Sequence, residues 1–231
     1  MRRIIFILTF ITLTPILSFA QVTEHAFWTA IFNNTKLNDK WTLQTDVQFR
    51  SANEVKNLRH ILIRPALLYN INKTNNVGLG YVMFDTFTHS AAPNTTEHRI
   101  YEQFVHMQAI KAATIQHRFR MEQRFIERPG MTDLFAQRFR YFARAIIPLQ
   151  KQEGAFKKGP YTALMNEIFI NLQNKDQVNG SLFDQNRASA TIGYRFSTKF
   201  DIEAGYTNQF VKRTNNTLTN NILQLNIFTR F

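Results

Sequence analysis

His117-Arg118-Phe119-Arg120-Met121-Glu122-Gln123-Arg124-Phe125 carries a charge at every second position from 118 to 124. Phe119, Met121 and Phe125 occupy positions between the charges. Side chains of an extended chain alternate between two faces, so this stretch is a strand with one charged face and one largely apolar face. The next stretch does the same more loosely. Phe139, Tyr141, Ala143, Ala145 and Ile147 alternate in part with Arg138, Arg140 and Arg144. An arginine facing lipid near a bilayer midplane costs about 2–4 kcal/mol. If the apolar faces meet lipid, the charged faces therefore line a lumen.

The pattern extends in both directions. Trp41, Leu43, Thr45, Val47 and Phe49 alternate with Thr42, Gln44, Asp46, Gln48 and Arg50. Ile61, Ile63, Pro65, Leu67, Tyr69 and Ile71 make another apolar face, and Ala188, Ala190, Ile192, Tyr194 and Phe196 oppose Arg187, Ser189, Thr191 and Arg195. Clusters rich in Asn, Gly, Pro and Lys separate such runs. Eleven segments result: 25–35, 41–52, 57–71, 77–88, 97–110, 114–128, 134–148, 160–172, 185–197, 200–212 and 218–231. Most have about ten to fifteen residues, enough to cross a bilayer at a tilt, where soluble strands usually have about five or six. The expected fold is all-β, a single antiparallel transmembrane β-barrel of about 10–12 strands. Eleven conflicts with the even number usual in bacterial single-chain barrels. Either a strand is split or missed, or the first segment stands outside a ten-stranded barrel closed by 41–52 on 218–231.

The N-terminus sets the expected compartment. Met1-Arg2-Arg3 is basic, residues 4–17 are almost wholly apolar, and Ser18-Phe19-Ala20 has the small-x-small form that a signal peptidase cuts. Cleavage between Ala20 and Gln21 would leave residues 21–231 as one barrel domain. No linker, repeat or low-complexity tract divides it. Cysteine is absent, which excludes disulfides, thiolate metal sites and a lipid anchor at the cleavage site. The formal charge of +12 falls to about +10 without Arg2 and Arg3. In an exported protein the expected counter-charges are lipopolysaccharide phosphates and other anionic solutes, not nucleic acid.

The last strand has its own signature. Leu223, Leu225, Ile227 and Phe231 share one face, with Thr229 among them, and Gln224, Asn226 and Arg230 share the other. An alternating strand ending on an aromatic looks like the assembly signal of outer-membrane barrels. It implies outer-membrane localisation, with membrane lipid, lipopolysaccharide and the barrel assembly machinery as partners and the oligomeric state left open. Beyond this, LNDKWTLQTDVQFR (Leu37 to Arg50), HRFRMEQRF (His117 to Phe125), NEIFINL (Asn166 to Leu172), FDQNRASATIGYRFS (Phe183 to Ser197) and GYTNQF (Gly205 to Phe210) resemble domain-of-unknown-function family 2490. This is a group of uncharacterised outer-membrane proteins. The resemblance covers nearly all residues after the signal peptide. It implies a fold and a location, and brings no catalytic residues with it.

The candidate site is the charge cluster Arg118, Arg120, Glu122, Arg124, Arg138, Arg140, Arg144 and Glu167, with Glu203 as a further acid. Two readings stand side by side. The cluster is a structural ion-pair network filling a narrow barrel, or an anion-attracting constriction. Trp28, Trp41, Tyr69, Tyr81, Tyr101, Tyr141, Tyr161, Tyr194 and Tyr206 are candidates for interfacial aromatic girdles. Gly78 and Gly80 match no phosphate loop; glycine in a barrel strand marks close packing or curvature. His25, His60, His89, His98, His106 and His117 have no metal-ligand spacing and no serine in a nucleophile-elbow context, so neither a metal nor a cofactor is expected. His117 shares the parity of Phe119 and belongs near the lipid interface. The expected activity is that of a non-enzymatic structural barrel or small solute channel with an Arg-rich lumen. The alternative is an outer-membrane lipid-modifying hydrolase or acyltransferase.

Overall fold

The computed structural model describes residues 21–52, 55–152 and 154–231. The expected signal peptide, residues 1–20 with Ala20, lies outside them, and Gln21 is the first residue of the first strand. Eleven strands follow one another: β1 (Gln21–Lys36), β2 (Trp41–Ala52), β3 (Asn57–Asn70), β4 (Asn75–Thr86), β5 (Thr95–Ile110), β6 (Ala113–Ile126), β7 (Leu134–Pro148), β8 (Gly159–Gln173), β9 (Phe183–Ser197), β10 (Phe200–Lys212) and β11 (Thr217–Arg230). A four-residue helix, α1 (Lys175–Val178), interrupts the β8–β9 connection. Among the described residues, every strand segment read from the alternation is present.

The strands close into one barrel. Each pair adjacent in sequence is antiparallel, but β1 joins β11 in parallel, from Gln21 opposite Thr217 to Asn34 opposite Arg230. This corrects the expectation of antiparallel pairing throughout. It also corrects the ten-stranded alternative, because β1 is a full member, paired on its other edge with β2 from Trp28 opposite Arg50 to Lys36 opposite Thr42. The reason is parity. With an odd number of strands running up and down, the first and last point the same way, so closure must be parallel. Closure matters because an open barrel would leave two rows of unpaired backbone donors and acceptors. Phe231 lengthens the seam: its N–H donates to the Asn34 carbonyl at 2.9 Å, and its carbonyl accepts from the Lys36 N–H at 2.6 Å.

The connections β1–β2, β3–β4, β5–β6, β7–β8 and β9–β10 lie at the end where β11 finishes; β2–β3, β4–β5, β6–β7, β8–β9 and β10–β11 lie at the other. Local side chains set two of the first group. Asn38 Oδ1 accepts from the backbone N–H groups of Lys40 and Trp41, and Asn72 Oδ1 from those of Thr74 and Asn75. Such Asx turns are why asparagine recurs there.

Strand parity decides what faces in. Leu62, Ala66 and Leu68 of β3, Val82 of β4 and Tyr101 of β5 form a buried apolar cluster on the inner wall. Gly80 stands opposite Tyr101, and a Cβ on Gly80 would collide with the Tyr101 ring. The device recurs across the barrel, with Tyr161 of β8 laid over Gly193 of β9. Tyr101 and Tyr161 are therefore fully buried, and Trp28 lines the lumen. These three are corrections to the girdle assignment. Tyr101 shares the parity of Arg99 and Gln103, and Tyr161 that of Glu167.

The outer wall is largely apolar, with Glu102 accepting from Gln123 at 3.1 Å among its polar exceptions. Ile63, Leu67, Leu79, Ile100, Phe104, Phe119, Leu164, Ile192, Leu223 and Leu225 are exposed there. Outer aromatics pair near both ends: Trp41 with Tyr69 and Tyr194 with Phe196 at one, Phe125 with Phe135 and Phe183 with Phe210 at the other.

Candidate functional site

β6, β7 and β8 project charges onto the inner wall because each has its charged residues on one parity. Glu122 of β6 is fully buried. One of its oxygens accepts from Arg138 Nε at 3.0 Å and Nη2 at 2.7 Å; the other accepts from Arg140 Nη1. Arg120 Nη1 stands 4.0 Å away. Glu167 Oε1 of β8 accepts from Arg118 at 2.9 Å and from Arg140 Nη2 at 2.6 Å. Arg124 shares Glu97 with Arg99, at 2.6 and 2.7 Å, and Arg144 donates to Glu203, which also accepts from the Tyr161 hydroxyl at 3.2 Å. The structure thus brings all eight cluster residues to the inner wall.

Other arginines complete the wall. Arg64 forks onto Asp46 at 2.7 and 3.0 Å. Arg195 grips Asp201 at 2.9 Å through both Nε and Nη2, and Arg230 reaches the same carboxylate at 2.8 Å. Arg138 adds Asp184 at 2.7 Å. Sequence reasoning left Arg50, Arg64, Arg99 and Arg187, with Asp46, Glu97, Asp184 and Asp201, out of the candidate set. The signal was present: Asp46, Gln48 and Arg50 share one parity of β2, and Gln185 and Arg187 one parity of β9.

Within the wall runs a cavity of ≈ 700 Å³. Its lining extends from Asn70, Asn76 and Gln116 near one set of turns to Arg59, Glu97 and Arg213 near the other. Twelve arginines line it against four carboxylates, Glu97, Glu167, Asp184 and Glu203. Most inner carboxylates are shared by two or more guanidiniums, so positive charge is in excess in the cavity lining. Several buried guanidinium nitrogens have no hydrogen-bond partner, among them Arg50 Nε, Arg118 Nε, Arg124 Nη1 and Arg187 Nε. Aromatic faces supply part of what carboxylates do not. Arg120 lies 3.9 Å over the Tyr101 ring and Arg140 4.4 Å over Phe169.

The family described as "protein of unknown function (DUF2490)" matches residues 25–220. The chain belongs to this family. An uncharacterised protein of Methylorubrum extorquens is similar to the DUF2490 barrel, 27% identical over 189 residues that make up 80% of this chain and 79% of the relative. No solved structure matches. No activity comes with these likenesses.

Five of the six histidines of the DUF2490 barrel are partnered by groups other than serine among the described residues. His60 meets Thr86, His89 the Leu58 carbonyl, His98 Tyr81, His106 Asn75 and His117 Tyr141. His117 is on the outer wall, stacked on the Tyr141 ring. No group of three or more His, Cys, Asp or Glu is placed to hold a metal ion among the described residues. In β11, Leu223 and Leu225 point outward, with Ile227 on the same parity and Phe231 next after the strand.

Proposed function

We propose that the DUF2490 barrel is exported through cleavage between Ala20 and Gln21, sits in the outer membrane, and acts without catalysis as a passage for small anions. The observation that carries this reading is the pairing of a largely apolar outer wall with an arginine-rich cavity of ≈ 700 Å³ running the height of the barrel. An apolar band of this extent around a monomer calls for lipid or a partner to cover it. Aromatic pairs near both ends fit the two membrane–water interfaces. A lumen with one sign of charge in excess raises the local concentration of counter-ions, which is how rings of arginine favour anions. The short turns 111–112 and 198–199 at the C-terminal end fit a periplasmic side.

The partners that follow are lipid and lipopolysaccharide on the outer wall and the assembly machinery at β11. Planar-bilayer recording in a potassium chloride gradient tests the passage. A reversal potential of the sign for chloride supports it; folded barrel with no conductance overturns it. Deleting Phe231, which closes the seam on Asn34 and Lys36, tests the location and assembly signal together. Outer-membrane abundance should fall, and unchanged abundance with heat-modifiable gel migration would count against the signal.

A further inference from the structure

Two arginines stand out because every carboxylate near them is already engaged. Glu167 serves Arg118 and Arg140 and comes no closer than 3.9 Å to Arg187. Glu97 serves Arg99 and Arg124, and Asp46 serves Arg64. Arg50 has no carboxylate partner among the described residues. It is buried, and its charge is repelled by Arg187, Arg64, Arg99 and Arg140.

Arg50 and Arg187 are held alike from opposite sides of the β1 seam. On β2, Gln48 Oε1 accepts from Arg50 Nη2 at 2.7 Å. On β9, Gln185 Oε1 accepts from Arg187 Nη2 at 3.3 Å. Each glutamine precedes its arginine by two residues, so both side chains of each pair face the lumen. Both guanidiniums stack on the same indole, that of Trp28, at 4.0 and 5.3 Å from the ring centroid. Both Nε donors have no partner, and both side chains line the cavity. A glutamine brace, a shared aromatic platform and free fork donors are what a built anion site requires. A buried cation with unused donors is otherwise costly.

We propose that Arg50 and Arg187, stacked on Trp28, form a lumenal binding site for a phosphate-like oxyanion, free or as a phosphoryl group on a small solute. A carboxylate has two oxygens, which one arginine fork satisfies. Two forks from separate strands on one aromatic platform suit a tetrahedral anion, whose four oxygens can accept from both. The site rests on the anion-passage reading and gives that passage a preference: such anions bind both forks on the way through, more tightly than monatomic chloride can.

The protein supplies its own reporter. It has two tryptophans, and Trp41 is on the outer wall, so Trp41→Phe leaves Trp28 as the sole emitter. Inorganic phosphate is titrated into the folded barrel in detergent, with sodium chloride at matched ionic strength as the comparison. Saturable change in Trp28 emission with phosphate alone is expected. Arg50→Gln and Arg187→Gln should each weaken the apparent affinity by about tenfold, the loss of one charge-assisted fork. Should either glutamine variant fail to fold, Arg50→Lys and Arg187→Lys keep the charge without the fork and must show a loss in the same direction. No saturable response, an equal response to chloride, or undiminished affinity in the variants overturns the site. Chloride current in bilayers separates the two readings. Anion-selective current without a Trp28 response removes the site and keeps the passage. A Trp28 response without current removes the passage and keeps the site, in a closed barrel.

Discussion

The inner wall is built in two ways. One part, on β3 to β5, is an apolar patch: Leu62, Ala66, Leu68 and Val82 pack around Tyr101, whose ring fits only because position 80 is glycine. On β6 to β8 the wall is ionic: Glu122 and Glu167 are each shared among guanidiniums. The first region fills space by shape and tolerates no unmatched volume. The second fills space with groups that are expensive to bury unless every charge is answered. The comparison teaches that one lumen holds both kinds of filling. Both regions face the same cavity, Leu62 and Leu68 from one and Arg138, Arg140 and Glu167 from the other, and Arg120, stacked on Tyr101, joins the two.

The sharpest way to break this contrast is at Glu122. Glu122→Gln removes the one carboxylate that Arg138 and Arg140 share, and should lower the stability of the barrel by about 3–5 kcal/mol. Thermal unfolding in detergent measures it; a loss below that of the apolar changes would mean the arginines are answered elsewhere. On the apolar side, Leu62→Ala should cost about 3 kcal/mol through lost transfer energy and a residual cavity, seen in the same melts. Gly80→Ala tests the close fit. The added methyl meets the Tyr101 ring and should cost about 2 kcal/mol from overpacking. A neutral outcome would show that Tyr101 can shift and that the wedge is looser than described. The smallest effect belongs to Arg230→Gln at the end of the lumen. Asp201 keeps Arg195, and Arg230 is partly exposed, so the change should stay below about 1 kcal/mol.

Much of this was legible before the fold was known. The strand segments and the facing of the 118–124 charges follow from alternation, a purely local property. So does the eventual placement of Tyr101 and Tyr161, had their parity been compared with that of Arg99 and Glu167. β1 was harder. Phe27 and Ile31 stand on one parity, Trp28 and Phe32 on the other, so hydrophobicity alone does not say which side faces the lumen. The register with β2, Trp28 opposite Arg50, decides it.

By itself, the sequence determined that this chain makes long two-faced strands ending on an alternating, aromatic-terminated segment, because a strand's faces are assigned residue by residue. It also determined that an arginine excess must collect on one of those faces. Only the tertiary structure decided that the barrel closes by a parallel β1–β11 seam, since closure depends on the number and direction of all the strands at once. Only the tertiary structure decided which arginines hydrogen-bond a carboxylate and which lie over Trp28 without such a bond. Charge pairing runs between strands as distant as β6 and β8 or β7 and β10, and no local spacing records the distance across a lumen.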